Sequence, residues 1–299
     1  MSSSSNMLNM NLNTTTTTTS SLPEWVGSVD LNHMNWDHQL YFWIRSNFSE
    51  YEITTFVSIV YIFVLYFVLS LPWYLIKRFK PSFLYKYKLQ PEKEEERQTD
   101  WGCIVQLVVN HLLIYPMLMI GHPVLKGIGV SYDLALPSWT DMIGRSLIFL
   151  VIEDTWFYWI HRFLHTDFGY KYIHRVHHEY QTPIGYCSSY ASVIEFVILG
   201  IGSFIGPLLI GVPHIFGWWV WMTVRQIEAI DCHTGFHFPW SVNNFLPFYC
   251  GAIHHDHHHK TYSGNYASTF TWWDWLCGTD KSYREWLVKQ EKKQKIKEN

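Results

Sequence analysis

A chain of 299 residues has material for one large domain or two small ones. Hydrophobic residues make up 48% of it and aromatics 18%, while charged residues reach only 16%, against roughly 25% in a soluble domain. So few charges cannot cover a water-facing surface, which points to lipid; the net charge of −3, with no basic stripe and interleaved aromatics, offers nothing to nucleic acid.

Residues 1–22 are Ser, Asn and Thr and can bury no core, so they read as a disordered tail. That tail lacks the basic and apolar regions of a cleaved signal peptide, and Asn13-Thr14-Thr15 fits a glycosylation sequon. Residues 23–140 read as an amphipathic region followed by a first membrane hairpin. Its first arm is the stretch of 24 uncharged residues between Glu52 and Lys77, enough at about 1.5 Å per residue to cross a hydrocarbon core of about 30 Å. Its second runs from Trp101 to Leu125 and ends near Gly121-His122-Pro123.

Residues 141–280 form the expected catalytic domain. A third apolar stretch covers 142–160 and carries Glu153 and Asp154 in its last turns, and a fourth holds 29 uncharged residues over 196–224. Gly206-Pro207 and Gly211-Val212-Pro213 interrupt the fourth, and histidines on both of its flanks have to meet, so it is expected to be a hairpin. Lys77, Arg78, Lys80, Lys86, Lys88, Lys93 and Arg97 crowd the loop 77–100, whereas Arg45 is the one basic residue in the segment before Ile53; the positive-inside bias therefore puts that loop, and everything from His161 onward, in the cytosol. The fold expected is an all-α integral membrane protein with about four transmembrane helices in two hairpins and a cytosolic, helical, histidine-rich cap. Residues 281–299 are a charged tail, in which Lys295 and Lys297 match a dilysine retrieval signal of the endoplasmic reticulum.

Five cysteines, Cys103, Cys187, Cys232, Cys250 and Cys277, are dispersed without a CxxC pair, which argues against a disulfide scaffold and a cysteine zinc site. The anomaly is the seventeen histidines, thirteen of them between His161 and His259. His161 and His165 are spaced HxxxH; His174, His177 and His178 are spaced HxxHH; His233 and His237 repeat HxxxH; His255, His258 and His259 repeat HxxHH. On a helix, residues three and four apart share a face, so each cluster can present several imidazoles to one metal or bridge two. Ten such positions exceed the four of a tetrahedral zinc site and suit two metals of coordination number five or six with room for water or dioxygen.

Scattered histidines at membrane interfaces need no metal, and His33, His38, His111, His122 and His214 read that way, as His254 and His257 do by falling outside the HxxHH frame. No HExxH or GxSxG motif competes. Asp154, Asp231 and Asp256 lie within seven residues of a cluster and are expected to orient ring N–H groups. Glu195, in an apolar stretch, is either functional or a helix-end residue reaching water. Asn265, with Gly264 and Tyr266, and the run Trp272-Trp273-Asp274-Trp275 are expected either to wall the site or to anchor the membrane interface.

The order HxxxH, HxxHH, HxxHH is similar to that of the fatty acid hydroxylase superfamily of membrane di-iron enzymes. Three stretches resemble its C4-methylsterol oxidases: Glu153-Asp154-Thr155-Trp156, Glu228 to Phe236, and His254-His255-Asp256 through Asp274. The resemblance covers about 140–280 and implies two iron ions, O2, electrons from NAD(P)H through cytochrome b5 and its reductase, and a sterol substrate in the endoplasmic reticulum. It implies stepwise oxidation of the sterol 4α-methyl group to alcohol, aldehyde and carboxylate, ahead of a separate sterol C4-decarboxylase. His237 departs from the pattern, standing where many sterol oxidases carry an acid and the hydroxylases a ligand. The rival readings are a fatty acid hydroxylase or sterol C5-desaturase and, in another class, a histidine-rich metal transporter; transporters tend to hold their ligands within the spans, whereas these clusters lie beyond them.

Overall fold

The computed structural model of the chain describes residues 35–93 and 100–298. The tail 1–22, its sequon, His33, and Glu94–Glu96 with Arg97 lie outside the described residues. Within them there is no β-strand, only isolated bridges such as Lys88 with Phe236. Helix α1 (Trp36–Asn47) leads through a Ser49–Glu52 capping box into α2 (Glu50–Glu52), a π-helical turn at Ile53–Val57 and α3 (Ser58–Phe79). Short α4 (Ser82–Tyr85) precedes α5 (Asp100–Leu112) and α6 (Ile114–Gly127), which form one long apolar rod. Val60, Val64, Val68 and Leu71 stand exposed along α3 at helical spacing, an arrangement that water would penalise and lipid would not.

Helix α7 (Trp139–Leu164) starts at a Ser138 cap whose hydroxyl accepts from Asp141 N–H, and α8 (Asp167–Tyr172) follows it. The fourth apolar stretch is two helices, α9 (Val193–Ile210) and α10 (Ile215–Cys232), turned at Gly211, whose φ is +76°. Helices α11 (Gly251–Thr261), α12 (Trp272–Cys277) and α13 (Lys281–Glu298) complete the chain. Three described helical stretches are long and apolar enough to cross a membrane: Glu50–Phe79, Trp101–Gly127 and Val193–Ile210. Helix α7 is not one of them, because Asp141, Arg145, Glu153 and Asp154 interrupt its apolar run.

The site is positioned by the bundle of α7, α9 and α10. Gly202 and Gly206 of α9 lie against α7, and a Cβ at Gly206 would come within 2.7 Å of the Phe149 ring and 3.0 Å of its Cα. Small residues four apart let two backbones approach where lipid supplies no hydrophobic drive. Trp156 Nε1–H of α7 donates to Ile198 O at 3.0 Å and Trp221 Nε1–H of α10 to Ser203 O at 2.8 Å, fixing the register of both with α9. Helices α7 and α10 end, and α9 begins, at the same end of the bundle, and the cap formed by α8, α11, α12 and α13 sits there.

Replacing Gly206 with Ala should therefore lower the thermal stability of the detergent-solubilised protein by about 1–3 kcal/mol through overpacking. Gly144→Ala on the same bundle, where a Cβ meets nothing within 4 Å, should be neutral or slightly stabilising. Equal melting temperatures for the two variants would contradict the close approach of α7 and α9.

Candidate metal centre

Nine of the ten clustered histidines converge into two groups: His161, His165, His174, His178 and His258, and His177, His233, His255 and His259. His161 and His165 sit on the last turn and C-cap of α7, and His233 caps α10. His174, His177 and His178 come from a tight 3-10 turn over His174–Glu179, and His255, His258 and His259 from α11. In both HxxHH clusters the first and last histidines join one group and the middle one joins the other. His174 and His178 enter the five-membered group and His177 the four-membered one; His255 and His259 enter the four-membered group and His258 the five-membered one.

The nitrogens that meet are all Nε2. In the larger group His165, His178 and His258 form a triangle with edges of 3.1, 3.2 and 3.2 Å, and His161 faces His174 at 3.1 Å. In the smaller group His177–His233, His233–His255 and His255–His259 are separated by 3.2, 3.0 and 3.1 Å. The His177–His233 contact is not a hydrogen bond. His177 Nδ1–H donates to Tyr190 O and His233 Nδ1–H to Ala229 O, at 3.0 and 2.8 Å. A carbonyl can only accept, so both Nε2 atoms carry bare lone pairs. The same logic holds for His161 on Tyr266 O, His258 on Gly264 O and His259 on Tyr180 O, at 2.7, 2.7 and 2.8 Å.

Lone pairs about 3 Å apart repel, and a cation between them turns the repulsion into ligation. Two metal–imidazole bonds of about 2.1 Å place their nitrogens about 3.0 Å apart across a right angle and about 3.4 Å apart across a tetrahedral one. The observed spacings lie between these two values, so each group has the spacing of donors that could close around one metal ion. Electrostatics agree: burial holds His177 down to about 4 and His165 down to about 2. Burial first, then neighbouring imidazoles, push His255, His258 and His259 well below the ordinary range.

His237 is not brought to either group. Helix α10 stops at Cys232, Gly235 takes a φ of +69°, and the chain continues extended beside residues 87–89, with His237 N–H donating to Tyr87 O at 3.0 Å. The HxxxH spacing therefore does not lie on a helix. Extended backbone alternates sides, so Phe236 and Phe238 enter the core while His237 stays half-buried. His254 and His257 also lie outside both groups, the first 3.7 Å from Asp274 and the second bonded to Ser282.

None of Asp154, Asp231 and Asp256 touches a clustered ring in the contacts seen. Asp154 accepts from the backbone N–H groups of Thr269 and Phe270, Asp231 from the Tyr249 hydroxyl, and Asp256 from Gln90. Asn265 donates to His254 O, and Trp273 stacks on Tyr158 beside α7. Asp154 acts one step further out: together with Asp274, which accepts from Tyr266 and Ala267 N–H, it fixes the loop whose Gly264 and Tyr266 carbonyls hold His258 and His161. Glu195 is the carboxylate in direct contact, 2.7 Å from His174 Nδ1.

An apolar cavity opens from His161, His174, His177 and His233 between α3, α6, α9 and α10. Trp218, Met222, Ala229 and His233 mark its wall along α10, a run of about 22 Å at the helical rise. One side carries a buried ion triad: Arg225 Nε–H donates to Glu153 at 2.9 Å, its other arm to Glu228, and Ser268 donates to Glu228 at 2.9 Å.

Known proteins share this region. The family model described as Fatty acid hydroxylase matches residues 146–279. Methylsterol monooxygenase 1 of Rattus norvegicus is 42% identical over 252 residues, covering 84% of this chain and 85% of the relative. Methylsterol monooxygenase 2-2 of Arabidopsis thaliana is 40% identical over 246 residues, 81% of this chain and 91% of its own. A very-long-chain aldehyde decarbonylase of Oryza sativa subsp. japonica is 42% identical over 253 residues, 83% and 94%. No solved structure matches.

His258→Ala should strip metal from purified protein, measured by elemental analysis per chain, whereas His237→Ala should retain it; equal losses would place His237 among the ligands. Acid should act in the same direction. Folding lowers these histidine pKa values, so below about 6.5 the unfolded chain binds more protons than the folded one, and stability and metal retention fall together as pH drops. Dialysis at pH 7.5 should leave the metal content intact and dialysis near pH 3, below the value of about 4 at which His177 takes a proton in the fold, should deplete it; equal contents would refute ligation by neutral imidazoles.

Proposed function

The chain belongs to the fatty acid hydroxylase family, and on that premise we propose that it is a C4-methylsterol monooxygenase, an oxidoreductase that oxidises the 4α-methyl group of a sterol in steps to the carboxylate. The observation that carries the reading is the apolar cavity ending on the imidazoles: His161, His174, His177 and His233 belong at once to the histidine groups and to the cavity wall. Relatives named for methylsterol oxidation, alignable over most of both chains, supply the substrate class.

Two iron ions, one per histidine group, would supply the activation of O2 needed to attack an unactivated C–H bond. The nine imidazoles hold them, with His237 outside the proposed set. Phe157, Phe196 and Leu199 exclude water and orient an apolar substrate. Electrons would come from NAD(P)H through cytochrome b5 and its reductase, and a sterol C4-decarboxylase would consume the carboxylate. The basic residues between Lys77 and Lys93 favour a cytosolic cap on an endoplasmic reticulum membrane.

The 42% identity to a protein named for very-long-chain aldehydes favours a second reading, in which the same cavity takes a linear chain. Membranes containing this protein, given NADH, O2 and a 4,4-dimethylsterol, should yield the 4-carboxysterol, and His258→Ala membranes should not. Unchanged sterol together with consumption of a very-long-chain aldehyde, or hydroxylation of a fatty acid, would overturn the sterol reading.

A further inference from the structure

Two buried carboxylate oxygens in the cavity wall have no partner among the described residues, Oε2 of Glu153 and Oε2 of Glu195. Both side chains are about 1% exposed, and a buried acceptor without a donor is rare enough to need an explanation. Glu153 lies eight residues before His161 on α7, about 12 Å back along the axis, and its other oxygen is held by Arg225. Glu195 is different. Its Oε1 takes the Nδ1–H of His174 at 2.7 Å, and Nε2 of that ring faces the larger histidine group. The carboxyl group that carries the free Oε2 is therefore joined to the ligand nitrogens through one hydrogen bond and one imidazole ring.

We propose that Glu195 Oε2 accepts the hydrogen of a secondary alcohol on the substrate, carried by the carbon next to the one whose methyl group is oxidised. The inference rests on the sterol reading and deepens it. A sterol carries its 3-hydroxyl on the ring carbon adjacent to C4, so an acceptor that close to the histidines grips the alcohol while the neighbouring methyl faces them. Gln226 Oε1, also buried without a partner, lies seven residues before His233 on α10 and so about 10 Å from the histidines along the axis. Tyr66 is already committed to Tyr186 O, Ser188 and Ser189 N–H. Trp218 lies at the far end, fifteen residues from His233 along α10. A linear aldehyde offers no hydroxyl beside its reacting carbon, so the contact also sorts substrates.

The test compares kcat/KM for three 4,4-dimethyl steroids, the 3β-alcohol, the 3-ketone and the 3-deoxy compound, in membranes carrying the wild-type chain or Glu195→Gln, with iron measured in both. The wild type should prefer the alcohol over each analogue by about tenfold or more. In Glu195→Gln the amide oxygen still accepts from His174 while the amide N–H turned to the cavity donates to a ketone, so the alcohol-to-ketone ratio should fall toward one or below. An unchanged ratio in the variant, even with reduced iron, would reduce Glu195 to holding His174 and overturn the inference. Equal turnover of alcohol and 3-deoxy compound by the wild type would overturn it without any variant. No turnover of any of the three would overturn the sterol reading and this inference together, whereas turnover without discrimination overturns the inference alone.

Discussion

Bare imidazole nitrogens forced to within about 3 Å of one another are the constraint around which the rest of the molecule is organised. A contact between two bare lone pairs is unfavourable unless a cation sits between them, and six of the nine rings are held in place from the opposite side. Backbone carbonyls do most of the tying: those of Tyr180, Tyr190, Ala229, Gly264 and Tyr266 each take one Nδ1–H. The carbonyls are themselves held. Gly264 adopts a φ of +75° at a place where a Cβ would lie 2.2 Å from Thr279 O, and Asp154 and Asp274 anchor the loop that follows. Fold and tautomer are thus the same problem, since a shift in the 264–270 loop would free two rings at once.

The two HxxHH clusters tie the histidine groups to each other. Their outer histidines go to one group and the middle one to the other, in opposite senses for the 3-10 turn and for α11. Neither group can be displaced without dragging the partner, and the geometry of one helix turn sets the spacing between them. Glu195 adds a contact from the membrane side, where α9 begins, and so links the ligand shell to the cavity in which an apolar substrate would lie.

Much of this was legible in the residues. Apolar runs marked the long helices, the Gly/Pro cluster near Gly211 marked the turn between α9 and α10, and three of the four histidine spacings described real neighbours. His237 falls outside both groups because the spacing rule assumes a helix, and α10 ends at Cys232. Asp154, Asp231 and Asp256 touch no clustered ring for a related reason: backbone carbonyls orient five of the rings and Glu195 a sixth, and a carbonyl leaves no mark in a sequence. The pairing of Gly202 and Gly206 with α7 was equally invisible, since two glycines in an apolar run gain meaning only from what lies opposite them. Helix α7 keeps its acids inside the bundle, with Glu153 on Arg225 and Asp154 on backbone amides, so its apolar content alone does not mark it as a crossing.

The position of α11 has a consequence for how the protein is made. It supplies His258 to one histidine group and both His255 and His259 to the other, and it follows every other ligand-bearing segment in the chain. During synthesis neither histidine group can be complete while α9 and α10 are being made, because the last members of both have yet to leave the ribosome. Both are completed in one event, when α11 folds across the exposed ends of α7 and α10. A chain that has not yet released α11 therefore lacks one member of the five-residue group and two of the four-residue group.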